Sequence, residues 1–592
     1  MKFQDAVTSP VAVKPLRRIQ PLEYGDLLVR ILNDYGVKYI FGIPGGGIEP
    51  LYNAMARSEK KGGLRPVVSR HESGAAFMAD GYARESGKLG VCCTTTGPGA
   101  TNIITGVASA YVDEVPMLVL TGQTRQSHFG RGAAQDSSCD GVDIVAMFKH
   151  CTRYNSFVSH PDQLEEKLVK AISIAMGSKP GPSHLSLPLD LLGMPVGIRG
   201  DLLPIKPLQF EEVTPNKKVM NQLHKLISNT KKAVLVLGPG AENAASEIIK
   251  FAETINWPLI TTPMGKGIIS ANHPLYFGVF GLGGHQSAAN LLHDSSVESV
   301  IVIGSVLDEP ETSSWDMEGL LTDKLIHIDQ NEFHFYRSTM AKLHVFGSPR
   351  LVFKELLRCG FKGKASLKGK RERHCANVVD LPELFKVNNR NIKKIPPQLL
   401  FWELSLKAPE NTRVVVDIGN SFLWGIHYWQ CRHKAGDFKN LFRMGLGFAP
   451  MGWGIGAAVG TAMASPDEPV ICFTGDGSLL MNGQEITTAA QEGLNILFVV
   501  LNDQCLGTVK HGQALTGAET TSFDLPGVDF AKLAHAYNVS SHSIQSVTEL
   551  HTIDLDKIFK APGPYLLEVI IDPEQVPPMS SRLLAINNDR GV

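Results

Sequence analysis

Apolar residues recur along this chain in two patterns that predict alternating helices and strands. The stretch LEYGDLLVRILNDYGV places apolar side chains on one helical face, and Gly36 is expected to end that helix. Short apolar runs follow, each ending near a turn that contains glycine or proline. Such runs predict strands buried on both faces of a sheet, and here they are KYIFGIPGGG, GVCCTTTGPG, PMLVLTG and SHLSLPL.

The same alternation returns in two later segments. The second segment contains KKAVLVLGPGA, PLITTPMGKG, SVIVIGSVL and KLIHID, and the third contains TRVVVDIGNS, PVICFTGDG, NILFVVLND and PYLLEVIID. Strands that alternate with helices in this way favour parallel sheets covered on both faces. The predicted fold class is therefore α/β, with three doubly wound domains and mostly parallel sheets.

Changes in composition set the expected domain boundaries. A proline-rich link, LPIKPLQFEEVTP, separates the first two segments, and the polar, basic stretch GKASLKGKRERH separates the last two. We expect a flexible N-terminal arm at 1–20, a first domain at 21–195, a central domain at 211–360, a linker at 361–394, a third domain at 395–575 and a tail or lid at 576–592.

Composition narrows the class of protein. The 592 residues carry a formal net charge of -1, which gives no electrostatic reason to expect nucleic acid or an anionic membrane as partner. No apolar run of about 18 residues occurs, so no transmembrane helix is expected. The nine cysteines show no CxxC spacing, which favours reduced thiols in a cytoplasmic protein over zinc or disulfides.

Two carboxylates stand at corresponding places in the third segment. Asp476 follows the strand VICFTG, and Asp503 follows the next strand, NILFVVLN. Ligands of open α/β sheets lie beyond the carboxyl ends of strands, where Gly475 and Gly477 permit close approach and Ser478 opens a helix suited to phosphate. A divalent cation such as Mg²⁺ would allow two carboxylates and a diphosphate to share this place.

The alternative is that GDG is a plain turn and LND a plain strand exit. The tripeptide alone is common in loops, whereas the strand–GDG–helix–strand–ND unit is far more specific. We therefore predict a site for a metal ion and a diphosphate.

GDG followed about 25 residues later by ND is similar to the cofactor signature of the thiamine diphosphate-dependent enzymes. From about residue 22 to 575 the chain resembles the acetohydroxyacid (acetolactate) synthase large subunits. The resemblance implies pyrimidine-binding, central and diphosphate-binding domains, in that order. It implies metal ligation by Asp476, Asp503 and the carbonyl of Cys505, and cofactor contacts from Pro44, Gly419, Asn420, Ser421, Met451, Gly475, Gly477 and Ser478.

The resemblance also implies two catalytic residues. Glu72 of the RHE motif matches the glutamate that bonds the aminopyrimidine and helps to activate the cofactor, whereas the alternative is a surface acid at a helix start. Met451 matches the apolar side chain under the bend of the cofactor, whereas the alternative is an ordinary core methionine. In the family these domains meet between chains, which implies a homodimer or homotetramer.

Several positions depart from the family. Val306 and Pro310 stand where it has arginines, so a carboxylate clamp is lost. Ala134 and Gly512 stand where it has aromatic residues, which implies a roomier pocket. Other candidates for the substrate pocket are His128, Gln135, His285 and His511.

The predicted function is decarboxylation of a 2-oxo acid, with pyruvate as the expected donor, followed by carboligation to a larger or uncharged carbonyl acceptor. Open alternatives are a simple decarboxylase, a true acetolactate synthase and a non-catalytic scaffold. The sequence does not favour FAD in the central domain, because its only support is the glycine turn GPGAENA, and the family's FAD-contacting arginine is absent.

Overall fold

The computed structural model describes residues 21–197, 212–361 and 394–579. The expected arm at 1–20, nearly all of the linker at 361–394 and most of the tail at 576–592 lie outside these residues. The described chain forms three sheets of six strands, and every strand pair in them is parallel. The α/β fold class is confirmed.

The first sheet has the order β2-β1-β3-β4-β6-β5. Its strands are β1 (Tyr39–Gly42), β2 (Arg65–Val68), β3 (Gly90–Thr94), β4 (Met117–Gln123), β5 (Tyr154–Phe157) and β6 (Pro182–Pro188). Its α-helices are Tyr24–Asp34, Glu49–Glu59, Glu72–Ser86, Pro98–Asn102, Ile104–Val112, Ile144–Phe148, Leu164–Ala175 and Leu189–Leu192, and its 3₁₀ helices are Gly46–Ile48, Gln126–His128 and Pro161–Gln163.

The second sheet has the order β12-β11-β10-β7-β8-β9. Its strands are β7 (Ala233–Leu237), β8 (Leu259–Thr261), β9 (Tyr276–Val279), β10 (Ser299–Ile303), β11 (Leu325–Asp329) and β12 (Leu343–Phe346). Its α-helices are Lys217–Asn229, Ala245–Ile255, Gln286–Leu292 and Pro349–Arg358, and its 3₁₀ helices are Pro239–Ala244, Lys266–Ile268 and Glu332–Ser338.

The third sheet has the order β14-β13-β15-β16-β18-β17. Its strands are β13 (Arg413–Val416), β14 (Phe442–Arg443), β15 (Val470–Gly475), β16 (Ile496–Asn502), β17 (Ser540–Ile544) and β18 (Tyr565–Ile570). Its α-helices are Pro397–Lys407, Asn420–Tyr428, Trp453–Ala464, Asp476–Asn482, Ile486–Gln491, Gly507–Thr516, Phe530–Ala536, Val547–Thr552 and Leu555–Lys560, and Gly483–Glu485 is a 3₁₀ helix.

The first and third sheets share one strand order, and equivalent helices join them. Helices Glu72–Ser86 and Trp453–Ala464 each follow the second strand of their sheet, and they pack against each other. A Cβ at Gly81 would overlap the backbone of Ala457, and one at Gly460 would overlap the carbonyl of Met78. Only glycine permits this contact of backbones, which fixes the two outer domains together.

Several inner strands are more deeply buried than two of the edge strands. Inner strands such as β4, β10 and β16 are buried at every residue, whereas the edge strands β5 and β17 are not. Within the three described ranges, no helix has the length and apolar character to cross a bilayer.

Candidate active site

Two adjacent parallel strands bring Asp476 and Asp503 to one edge of the third sheet. β15 and β16 pair up to Gly475 and Leu501, and each strand is followed closely by its carboxylate. Asp476 accepts hydrogen bonds from the backbone N–H of Gly477 and of Gln504, both at 2.7 Å. Burial and then the charge of Asp503 raise the pKa of Asp476 to about 7, and burial also raises the pKa of Asp503. The two carboxylates disfavour each other's charge, which a cation between them would relieve.

A second buried acid, Asp417, holds the turn that carries Met451. Both oxygens of Asp417 accept from the N–H of Gly452 at 3.1 Å, and one accepts from the hydroxyl of Thr474 at 3.1 Å. Gly452 has a φ of 84°, a left-handed conformation that favours glycine. Asp417 therefore ties the Met451 turn to the strand that leads to Asp476. Sequence reasoning missed it, although an acid before the glycine turn in VVVDIGNS was the available signal.

These elements surround a cavity of about 560 Å³. Its lining includes every metal and cofactor residue predicted in the third domain, namely Gly419, Asn420, Ser421, Met451, Gly475, Asp476, Gly477, Ser478, Asp503 and Cys505. The opposite wall comes from the central domain and consists of Leu282, Glu309, Pro310 and Ser314. Of these four, the sequence singled out only Pro310, because the others belong to a distant segment without a motif.

The predicted site residues of the first domain do not line this cavity in their own chain. Glu72 is the first residue of its helix, is 9% exposed, and accepts a hydrogen bond from Asn102 Nδ2 at 3.0 Å. Pro44 is exposed in the glycine turn after β1. His128, Ala134 and Gln135 are exposed in the loop after β4, at the same edge of the first sheet. This edge thus forms a second, separate group of predicted residues.

The remaining substrate candidates also lie outside the cavity lining. His511 is buried; its ring nitrogens lie 3.1 Å from Asn420 Nδ2 and 3.1 Å from the carbonyl oxygen of Pro573. A Cβ at Gly512 would meet nothing within 4 Å. His285 is buried and uses its ring to join the N–H of Val279 and the carbonyl of His427. His511 and His285 therefore act in the packing of this chain, and their substrate roles stay predictions.

Three family models match the chain in the order of its sheets. They describe the N-terminal TPP binding domain at residues 22–146, the central domain at 220–356 and the C-terminal TPP binding domain at 417–569 of thiamine pyrophosphate enzymes. The chain belongs to the thiamine pyrophosphate enzyme family. All ten predicted third-domain residues lie within or next to the cavity formed by this C-terminal domain and the central domain.

Similar proteins indicate which branch of this enzyme family the chain resembles. A probable acetolactate synthase large subunit of Methanococcus aeolicus is 32% identical, with 93% of each chain covered. An acetolactate synthase of Arthrospira platensis is 32% identical, with 92% and 93% covered. The acetolactate synthase isozyme 2 large subunit of Escherichia coli is 30% identical, with 92% and 95% covered. The enzyme is acetolactate synthase-like, and its chemistry is decarboxylation and carboligation dependent on thiamine diphosphate.

The residues around the cavity fit thiamine diphosphate with a divalent cation. Asp476 and Asp503 supply paired carboxylates, and the helix Asp476–Asn482 begins at the cavity. Gly477 offers no side chain, and a Cβ there would lie 2.9 Å from Leu506 Cδ2 and 3.4 Å from Met451 Cε, so glycine keeps this part of the cavity open. No cluster of three or more His, Cys, Asp or Glu side chains suited to a metal occurs among the described residues. The third protein ligand predicted here is a backbone carbonyl.

The glycine turn of the central sheet, GPGAENA, does not leave its first amide free for a dinucleotide phosphate. The N–H of Gly240 donates to the carbonyl of Gly304 at 2.9 Å, so the two glycine turns close on each other. The wholly buried carboxylate of Glu311 fills the space beside them and accepts from Thr262 at 2.8 Å and Ser305 at 2.5 Å. Burial raises the pKa of Glu311. A dinucleotide phosphate would meet a carboxylate and an occupied amide in this crevice.

Proposed function

We propose that the enzyme decarboxylates pyruvate or another small 2-oxo acid and joins the acyl unit to an acceptor carbonyl that carries no carboxylate. The observation that carries this proposal is the cavity itself. On one side it presents the two carboxylates of Asp476 and Asp503, and on the other side its central-domain wall has no cationic side chain. Bound thiamine diphosphate would supply the nucleophilic carbon and accept the electron pair released with CO₂.

The proposed metal ligands are Asp476, Asp503 and the carbonyl of Cys505, with Mg²⁺ as the ion. Gly477 and Ser478, at the start of the helix Asp476–Asn482, are the proposed diphosphate contacts. Met451 would support the bent cofactor from below. The family resemblance and the fit of these residues support this assignment.

The proposed proton-transferring residue, Glu72, would come from a second copy of the chain. In its own chain Glu72 stands at the edge of the first sheet and outside the cavity, so the site is incomplete without a partner. Leu480 and Met481, on the helix that starts at Asp476, are 46% and 52% exposed, and Phe448 is 49% exposed. Burial of these side chains would favour association. We therefore propose a homodimer as the minimum active form.

The acceptor class follows from the charges on the cavity wall. Among the described residues that line the cavity, none is Lys, Arg or His. Glu309 is the one charged residue on the central-domain wall, and Pro310 stands beside it. A carboxylate acceptor would find repulsion there rather than a bidentate clamp. An aldehyde or a neutral ketone suits this wall better, so we propose one of these as the acceptor.

The state of the cysteines bears on where the protein acts in the cell. The eight cysteines within the described ranges are all free thiols, which suits a reducing compartment, and we propose the cytoplasm. The proposed reaction is redox-neutral, and no step of it is assigned to a flavin.

The test is a panel of donors and acceptors with purified enzyme, thiamine diphosphate and Mg²⁺. CO₂ release identifies the donor, and mass spectrometry identifies the ligated product. We expect products from a 2-oxo acid donor with aldehydes, and loss of CO₂ release in Glu72→Gln and Asp476→Ala. A ligated product formed only when the donor and the acceptor are both 2-oxo acids would indicate a true acetolactate synthase. Release of CO₂ together with a free aldehyde, without a ligated product, would indicate a simple decarboxylase. Absence of CO₂ from every donor would indicate a scaffold.

A further inference from the structure

A wholly buried carboxylate lies where the third domain meets the loop before Glu72. Glu485 ends the 3₁₀ helix Gly483–Glu485 and is 0% exposed. Its Oε1 accepts from the N–H of Arg70 at 3.0 Å and from the N–H of His71 at 2.9 Å. Its Oε2 accepts from the hydroxyl of Thr488 at 3.1 Å. Two consecutive backbone amides of the first domain thus depend on one side chain of the third.

The residues after Glu72 are held by the same segment. A Cβ at Gly74 would overlap the carboxylate of Glu485, so glycine is required for this contact. The hydroxyl of Ser73 donates to Asn482 Oδ1 at 3.3 Å. The positions on either side of Glu72 are therefore fixed by residues 482–488, while its own carboxylate stays free of them.

Among the residues that the structure describes, the carboxylate of Glu72 accepts a hydrogen bond from the side-chain amide of Asn102. The direction in which the Glu72 carboxylate points consequently depends on the backbone at the start of helix Glu72–Ser86. That backbone is set on one side by the amides that Glu485 accepts and on the other by the contact with Gly74. Buried amides that lose their acceptor cost free energy and move to find another, so the loop would shift without Glu485.

We propose that Glu485 is a positioning residue for Glu72, which orients that carboxylate by clamping the Arg70–His71 backbone. Glu485 does not line the cavity and does not touch the proposed cofactor site, so it acts through Glu72 alone. The proposal rests on the proposed function, in which Glu72 bonds the cofactor. A displacement of about 1 Å in a reacting group can lower a rate about a hundredfold.

The chain offers a matched control. Glu492 also joins the third domain to the first, through Arg65 at 2.5 Å, and it lies only seven positions after Glu485. Its partner Arg65 begins β2, five positions before Arg70, and Glu492 accepts no backbone N–H next to Glu72. Glu492→Gln therefore removes a carboxylate from the same domain contact without releasing the loop.

The test measures hydrogen–deuterium exchange at C2 of bound thiamine diphosphate in the holoenzyme by acid quench and NMR. The variants are Glu485→Leu, which removes the acceptor oxygens, Glu485→Asp and Gly74→Ala, with cofactor affinity and melting temperature recorded for each. We expect exchange to fall about tenfold to a hundredfold in the three variants, with cofactor affinity changed less than about threefold. Glu492→Gln should exchange at the wild-type rate.

The outcomes separate this inference from the proposed function. If Glu72→Gln exchanges like wild type, the proposed function fails, whatever Glu485 does. If Glu72→Gln loses exchange while Glu485→Leu and Glu485→Asp match Glu492→Gln, the positioning role is overturned. Exchange is read from whichever of the three variants folds; if none of them folds, Glu485 is a structural residue and the proposal is likewise overturned.

Discussion

The buried carboxylate of Glu85 joins the first domain to two arginines of the third domain, so its replacement should have a large effect on stability. Glu85 lies near the end of helix Glu72–Ser86, and its side chain is 0% exposed. Arg443 contacts it at 2.5 Å, Arg413 at 3.1 Å and the hydroxyl of Ser465 at 2.5 Å. Replacement by Gln keeps the shape of the side chain and removes its charge. The buried Arg443 then loses its carboxylate partner, and the buried Arg413 keeps only its pair with Glu468 at 3.8 Å.

Two estimates of the cost agree. Burial alone would raise the pKa of Glu85, but Arg443 and Arg413 outweigh burial and lower it from 4.5 to about 2. Each pKa unit corresponds to about 1.4 kcal/mol, so ionised Glu85 contributes about 3 kcal/mol to folding at pH 7. Removing one partner of a buried ion pair costs about 3–5 kcal/mol. Because the folded pKa is depressed, the contribution is complete above the unfolded pKa and is lost as pH falls toward 2.

Urea denaturation followed by tryptophan fluorescence measures this cost, since Trp453 lies on the helix that packs against Glu72–Ser86. Glu85→Gln should lose about 3 kcal/mol at pH 7 and less than half of that, about 1.4 kcal/mol, at pH 3. Glu212→Gln, which breaks a half-exposed pair with Arg350, should lose less than about 1 kcal/mol. Equal losses in the two variants at pH 7, or a Glu85→Gln loss unchanged at pH 3, would refute the reasoning.

Three further changes test the cavity and the domain contact. Pro310→Arg should raise kcat/KM for 2-oxo acid acceptors about tenfold over aldehydes by adding a cation to the wall, and unchanged acceptor preference would contradict this. Asp503→Asn removes a charge that, with burial, raises the pKa of Asp476. Wild-type Mg²⁺ affinity should fall about tenfold between pH 8 and pH 6, and the affinity of the variant should fall less. Equal losses of affinity in the two proteins would argue against Asp476 and Asp503 as the ligand pair. Gly460→Leu should lower the free energy of unfolding, measured by calorimetry, by more than about 3 kcal/mol. Gly197→Leu, whose added side chain would enter open space, should not. Equal melting temperatures in the two variants would disprove the close contact.

The strands that the sequence revealed are those at the centre of each sheet. In the first sheet the apolar runs correspond to β1, β3, β4 and β6, and the edge strands β2 and β5 were not recognised. The same division holds in the other two sheets. Inner strands are covered on both faces and carry continuous apolar runs, whereas edge strands are shorter or partly exposed and alternate with polar residues. Strand β17, with the sequence SSHSI, shows the difference.

The candidate site divides in a similar way. Asp476, Asp503 and Met451 were predictable because motifs at the ends of neighbouring parallel strands must meet at one edge. Glu309 was not, because its place in the wall depends on how the central domain packs against the third. Glu485 was also missed, since a lone acid on a short helix gives no sign of the backbone amides it accepts.

The glycine contact between the outer domains restricts how the molecule can move. Two helices whose backbones touch at Gly81 and Gly460 have interlocked surfaces, so neither can slide along the other without unfolding. The central-domain wall of the cavity lies outside this contact. There Gly281 and Gly283 have positive φ angles of 112° and 68°, and Ser314 has one of 62°. Because the seam is rigid, we expect substrate to enter without relative movement of the two outer domains.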